Sequence, residues 1–331
     1  MDSVTQIALG AAVGQAVLGQ KVGYRAALWG GIVATIPDLD VFISMGGAVA
    51  DFTYHRSFSH SLFVLSLLAP LLAWLINRFH GQYEGLSKHW FMLVWLALVT
   101  HPILDSFTIY GTQLFWPLSV EPVGIGSIFI IDPLYTLPLL LGTLLALSAR
   151  QAKWGLRANQ LGIAISCLYL AWGVIAQNWV TEIAKENLAE KQSQSQVLVS
   201  AAPFNTLLWR VLVMKEHSYE EGFYSLLDPD RQIHFKEYPN QISQLGEIEQ
   251  HWPVQRLQWF SKGFLKVKEQ NRELLLSDLR MGAEPFYVFT FKVAEIDNGR
   301  VIPSEDQRIE EVRSEELVPN LLARIVSRGA L

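Results

Sequence analysis

Hydrophobic positions follow two regimes along the chain. Up to about residue 181 they come in long runs, and beyond it they alternate with polar residues. A run of roughly 20 apolar residues suits a helix crossing hydrocarbon, because only a helix satisfies its own backbone hydrogen bonds there. Stretches 26–45, 61–77, 90–109, 133–149 and 158–181 qualify, the last without a single charged residue. Stretch 5–18 is short for a span and reads as re-entrant or tilted. Its Gly10 and Gly14 suit close helix packing. The pattern predicts an α-helical membrane domain of four to six membrane segments over residues 1–181. A helical linker over 182–200 and a soluble mixed α/β domain over 201–331, richer in strands than helices, are expected to follow. Residues 206–214 and 287–293 alternate as strands do, and Leu227-Asp228-Pro229-Asp230-Arg231 has the turn chemistry of a hairpin.

Charge sharpens this division. Residues 1–181 hold 16 Asp, Glu, Lys or Arg residues and residues 182–331 hold the other 41. Overall only 17% of the chain is charged, against roughly 25% in an average soluble domain. Net charge is −5 with no basic run, which excludes an electrostatic footprint for nucleic acid. The single cysteine, Cys167, excludes an intrachain disulfide. Asp2, with no basic residue before the first apolar stretch, argues against a cleaved secretory signal.

Lys and Arg in short loops are retained on the cytoplasmic side. Lys21, Arg25, Arg78, Lys88, Arg150, Lys153 and Arg157 fall in loops that alternation places on one face. Loops 46–59 and 111–131 hold only Arg56. Those two loops and the C-terminal domain are therefore expected to be extracytoplasmic. Trp90, Trp154 and Trp179 near segment ends suit an interfacial aromatic belt.

Ionisable groups inside a bilayer cost on the order of 2.5 kcal/mol or more each at its centre unless paired or bound to an ion. Asp38 and Asp40 in PDLD, His55, Arg56 and His60 in HRSFSH, His101 and Asp105 in HPILD, and Asp132 before the fifth segment each need such a reason. His101 and Asp105, four residues apart, share a helix face and can chelate one ion. Pro37 disturbs the helix beside Asp38 and Asp40 and can turn both carboxylates inward. All these groups fall toward the external ends of their segments. A mixed His/Asp set suits one or two divalent ions, Zn, Mn or Fe, without choosing among them. Such a centre can activate water and clamp a phosphoryl or acyl oxygen, with Asp40 or metal-activated water as base and Arg56 holding an anionic group. Each residue alone has an ordinary structural use, such as a helix cap or an ion pair. An ion-coupled transporter and a metal-stabilised scaffold without catalysis are the competing readings. His80 and His89 are expected to be solvated in a cytoplasmic loop, and His217, His234 and His251 lack ligand spacing.

In their order, MDSVTQIALGAAVGQAVLG, PDLD, HRSFSHS and THPILD resemble the YdjM-type family of bacterial membrane-bound metal-dependent hydrolases. APFNTLLWRVLV, LQWFSKGF and DLRMG in the C-terminal part are similar to its longer members. The resemblance implies a bacterial inner-membrane location and hydrolase activity, with Asp38, Asp40, His55, His60, His101 and Asp105 at the motif positions. It brings no substrate; the metal-capable cluster at the membrane face leads to the expectation of a metal-dependent hydrolase acting on an ester or phosphoester of a lipid or membrane-associated substrate. Thr5-Gln6 stands where many of the family's members have Thr-His, which removes one ligand from the implied set.

Overall fold

Asp2 opens the first helix, its carboxylate accepting the Val4 and Thr5 amides, so two of the amides that a helix start leaves unpaired are satisfied. The computed structural model describes residues 1–80, 85–150, 152–188, 195–310 and 316–328. Its helices are α1 (Ser3–Val22), α2 (Tyr24–Ala34), α3 (Ala48–Tyr54), α4 (Leu62–Phe79), α5 (Ser87–Ser106), α6 (Pro133–Ser148) and α7 (Lys153–Leu188). Internal contacts divide the chain into two units, Met1–Phe42 with Arg56–Val174, and Ile43–His55 with Ile175–Leu331.

In the first unit, α1 turns into α2 through Gly23, whose φ of 67° suits a residue without Cβ. The two helices then run together along small residues. A Cβ on Gly30 would lie 2.1 Å from the Gly10 carbonyl oxygen, and one on Gly14 would lie 2.1 Å from that of Ala26. Gly30→Ala should therefore push backbone from backbone, at about 1–3 kcal/mol, read as a lower thermal midpoint in detergent. Gly31→Ala, whose nearest neighbour would be the Ile7 side chain at 3.2 Å with backbone no closer than 3.6 Å, should change it far less. Around this hairpin, Leu18, Val33, Leu65, Trp90, Leu93 and Leu98 form a buried core.

The expected four to six spans are too many. Among the described residues two helices, α4 and α7, are long and apolar enough to cross a membrane by length and composition, and α6 is apolar but shorter. Run 26–45 is broken: α2 ends at Ala34, and a 3-10 helix, Pro37–Phe42, follows. Pro37 lacks the amide that would continue the α2 ladder. Helices α1 and α5 have the length, 20 residues each, but carry Gln6, Gln15, Gln20 and Lys21, and Lys88, His89, His101 and Asp105 respectively.

His80 also departs from expectation. It stacks on the fully buried Trp90, with centroids 5.3 Å apart, and its Nε2 accepts the Trp29 indole N–H at 2.7 Å. Trp90 thus belongs to the interior, whereas Trp154 and Trp179 are about half exposed. Burial, with Arg25 as the second cause, holds the His80 pKa below its ordinary 6.5. The neutral imidazole is the form that accepts the indole proton. The stability from His80 is therefore full above about pH 6.5, and it is lost as pH falls through the lower folded-state value. His80→Gln should remove that acid-side loss from a pH series of thermal midpoints.

The second unit is β-sheet-rich, with helices among its strands. Strands β1 (Val197–Ala201), β2 (Leu208–Met214), β3 (Ser218–Ser225) and β4 (Phe235–Pro239) form one antiparallel sheet in that order. Residues 197–200 of the expected linker thus lie in β1, whose β-branched Val197 and Val199 favour strand. Residues 182–188 end α7, and 189–194 lie outside the described residues. The 227–231 turn falls between paired strands β3 and β4. After α8 (Trp252–Phe260) come β5 (Leu265–Gln270), β6 (Glu273–Asp278), the short pair β7 (Gly282–Ala283) and β8 (Phe286–Tyr287), β9 (Thr290–Asp297), β10 (Arg300–Ile309) and α9 (Leu317–Arg324). The second large sheet is ordered β10-β9-β6-β5. Phe52 of α3 packs on Phe260, Phe289 and Phe291 at 4.4–5.2 Å between centroids. Arg210 and Glu221, on neighbouring strands and about 5% exposed, form a buried ion pair. Burial works against the Arg210 charge, and Glu221 more than offsets it, raising the pKa.

Candidate metal centre

Three short stretches of the first unit bring its imidazoles and carboxylates together. The 3-10 helix Pro37–Phe42 turns every three residues, so Asp38 and Asp40 point different ways: the Asp38 side chain is 25% exposed and that of Asp40 is buried. A second 3-10 turn, Phe58–His60, presents His60 just before Ser61 caps α4. His101 and Asp105 lie one turn apart near the C-terminal end of α5, as their spacing predicts.

One ligand atom from each of Asp38, His60, His101 and Asp105 lies within 4.8 Å of the other three. His60 Nε2 is 3.2 Å from His101 Nε2. Each Nε2 is 3.3–3.4 Å from Asp38 Oδ1 and from Asp105 Oδ2. Atoms bound about 2.0–2.1 Å from a tetrahedral ion are about 3.3–3.4 Å apart, so these five separations match edges of such a site, while the sixth, between the two carboxylates, lies within 4.8 Å.

The imidazoles are held with Nε2 toward the centre. His101 Nδ1 lies 2.6 Å from the Ala34 carbonyl, which can only accept, so Nδ1 carries the proton. Ser59 Oγ donates to Asp40 Oδ2 at 2.6 Å and lies 2.9 Å from His60 Nδ1. The hydroxyl hydrogen is committed to Asp40, so Nδ1 of His60 donates as well. In their neutral forms both rings would then present an unprotonated Nε2 to the centre, an arrangement that a shared cation stabilises and that metal-binding histidines adopt through such outer partners. Asp105 Oδ1 accepts from Gln6 Nε2 at 3.0 Å and from the Met1 nitrogen. The donor set and its outer partners fit a divalent ion held by Asp38, His60, His101 and Asp105.

Other residues singled out from sequence lie elsewhere. Asp40 sits behind His60 and accepts the Arg56 amide at 3.1 Å. Arg56, at φ +64°, folds back under the centre, with Nε 3.4 Å from Asp105 Oδ2 and its guanidinium over the Tyr110 ring. It is buried, so its charge faces a ligand carboxylate. His55 caps the C-terminus of α3 in the other unit and is not among the four. Asp132 caps α6, accepting the Leu134 amide and the Tyr169 hydroxyl. Sequence reasoning missed Ser59 and the contacts of Gln6. The only signals were a hydroxyl next to a histidine and a carboxamide in an apolar run.

A helical unit with apolar spans and a buried His/Asp centre defines a membrane protein built around a metal-capable site. The sequence profile of the YdjM inner membrane protein family matches residues 1–180, more than half of the chain, and the chain belongs to that family. It is 30% identical over 140 residues to the protein named "Uncharacterized protein YfhP" of Bacillus subtilis (strain 168), covering 40% of this chain and 42% of YfhP. It is 38% identical over 108 residues to inner membrane protein YbcI of Escherichia coli (strain K12), covering 31% of this chain and 61% of YbcI. The chain thus spans less than two thirds of either relative. No solved structure matches it.

Proposed function

We propose that this protein is a membrane-embedded, metal-dependent hydrolase of an ester or phosphoester bond in a lipid or membrane-associated substrate. The observation that carries the reading is the convergence of two imidazoles and two carboxylates, each imidazole Nε2 lying 3.2–3.4 Å from the other three ligand atoms. A divalent ion here would polarise a carbonyl or phosphoryl oxygen and lower the pKa of a water molecule. Arg56 partly neutralises Asp105 and leaves the centre less negative toward an anionic substrate. Asp40, through Ser59, orients His60, and Asp38, the one exposed ligand group, is placed to take a proton from the attacking water. In this reading the centre lies toward the extracytoplasmic face, since Lys21, Arg78 and Lys88 lie at the opposite ends of these helices.

A second reading has an observation of its own. Four protein ligands make a closed set, as structural sites do, whereas catalytic sites keep a position open. The test is turnover of fluorogenic carboxylic-ester and phosphodiester substrates by the metal-loaded protein in detergent. A hydrolase loses turnover to chelator and to His101→Ala. No turnover, with thermal stabilisation by metal retained, supports the scaffold, and metal flux into liposomes supports a transporter.

A further inference from the structure

The four ligand groups are not equally reachable. The side chains of His60, His101 and Asp105 are 0% exposed and that of Asp38 is 25% exposed, so the centre opens only along the 3-10 helix Pro37–Phe42. With three residues per turn, Val41 eclipses Asp38 and Phe42 eclipses Leu39. All three of these neighbours are exposed and apolar: Leu39 is 52%, Val41 62% and Phe42 83% exposed. Water-soluble substrates give no reason for a hydrophobic lip beside a carboxylate.

The same end of the unit places the lip in depth. His60 stands immediately before α4, an 18-residue apolar helix that exposes Phe63, Leu67, Leu71 and Trp74. The 18 residues of α4 rise about 27 Å at 1.5 Å each, close to the thickness of the hydrocarbon core, and His101 and Asp105 lie beside His60 at that end. The centre therefore lies at one boundary between hydrocarbon and headgroups, where ester and phosphoester bonds of lipids reside.

We infer that Leu39, Val41 and Phe42 form a lateral entry dipping into the leaflet at that boundary. They hold the acyl chain of an amphiphilic lipid while its headgroup bond reaches Asp38. The bond cleaved rests on the hydrolase reading; the membrane contact of the lip does not.

The test uses the full chain with Cys167→Ser and a nitroxide label on Phe42→Cys or, separately, Leu39→Cys, in vesicles of phosphatidylethanolamine and phosphatidylglycerol. Collision rates with oxygen and with a water-soluble nickel chelate report the surroundings of each label. Labels on Leu67→Cys and Asn298→Cys mark the lipid and water limits. Both lip labels are expected near the Leu67 limit. Values near the Asn298 limit at both sites overturn the inference, with or without hydrolytic activity. If turnover is established, Phe42→Ser should lower the long-chain to short-chain ester preference about tenfold, the scale of a lost apolar pocket contact. An unchanged ratio overturns the acyl-chain assignment.

Discussion

Purified protein should carry close to stoichiometric divalent metal by elemental analysis, and His60→Ala and His101→Ala should each lose it. Removing an outer partner of a metal-bound histidine commonly costs about 10–100-fold in affinity, so removing the imidazole itself should cost more than roughly 100-fold. The structure also sets a graded expectation. Ser59→Ala disturbs the chain that fixes His60 Nδ1 and Asp40→Asn disturbs both that chain and the partner of the Arg56 amide, and each should weaken binding by about 10–100-fold without abolishing it. His55→Ala, in the other unit, should leave metal content unchanged. Metal retained in full by both imidazole variants would remove the chemical basis of the hydrolase reading.

Glu221→Ala should be the most damaging single change in the β-rich unit. It leaves the Arg210 guanidinium buried, with the Leu279 carbonyl and the Tyr287 hydroxyl still within reach but no countercharge. Breaking one side of a buried pair costs about 3–5 kcal/mol. Arg210→Met combined with Glu221→Leu should recover most of that loss, because an apolar pair of similar volume avoids the desolvation of both charges. Thermal unfolding of the full chain, followed by circular dichroism, checks both. A single variant within about 1 kcal/mol of the parent would mean that water reaches the pair.

All four residues of the candidate centre were legible in the sequence, because a charged or imidazole side chain in an apolar run stands out and a His/Asp spacing of four fixes a helix face. Asp38 was separated from Asp40, and His60 from His55, only by the structure. Two carboxylates two residues apart are equivalent until the tightness of the turn is known, and it is a 3-10 helix. The spans were overcounted for a related reason. Hydrophobic content reports burial in lipid and burial against other helices alike, so run 26–45 looked continuous across Pro37. The alternating C-terminal half announced its strands and the hairpin at 227–231, but not the pairing of β6 with β9, whose partners Glu273 and Glu295 are separated in sequence by β7 and β8.

The contact of α1 with α2 has a consequence beyond stability. Gly10, Gly14 and Gly30 fit one register, and the turn carrying Asp38 begins three residues after α2 ends. Sliding α2 by one residue along α1 would carry that turn about 1.5 Å, well beyond the roughly 0.5 Å within which a ligand set keeps its geometry. The glycine seam therefore works as a ruler for the coordination sphere. Small substitutions along it should alter which metal is preferred before they prevent the protein from folding.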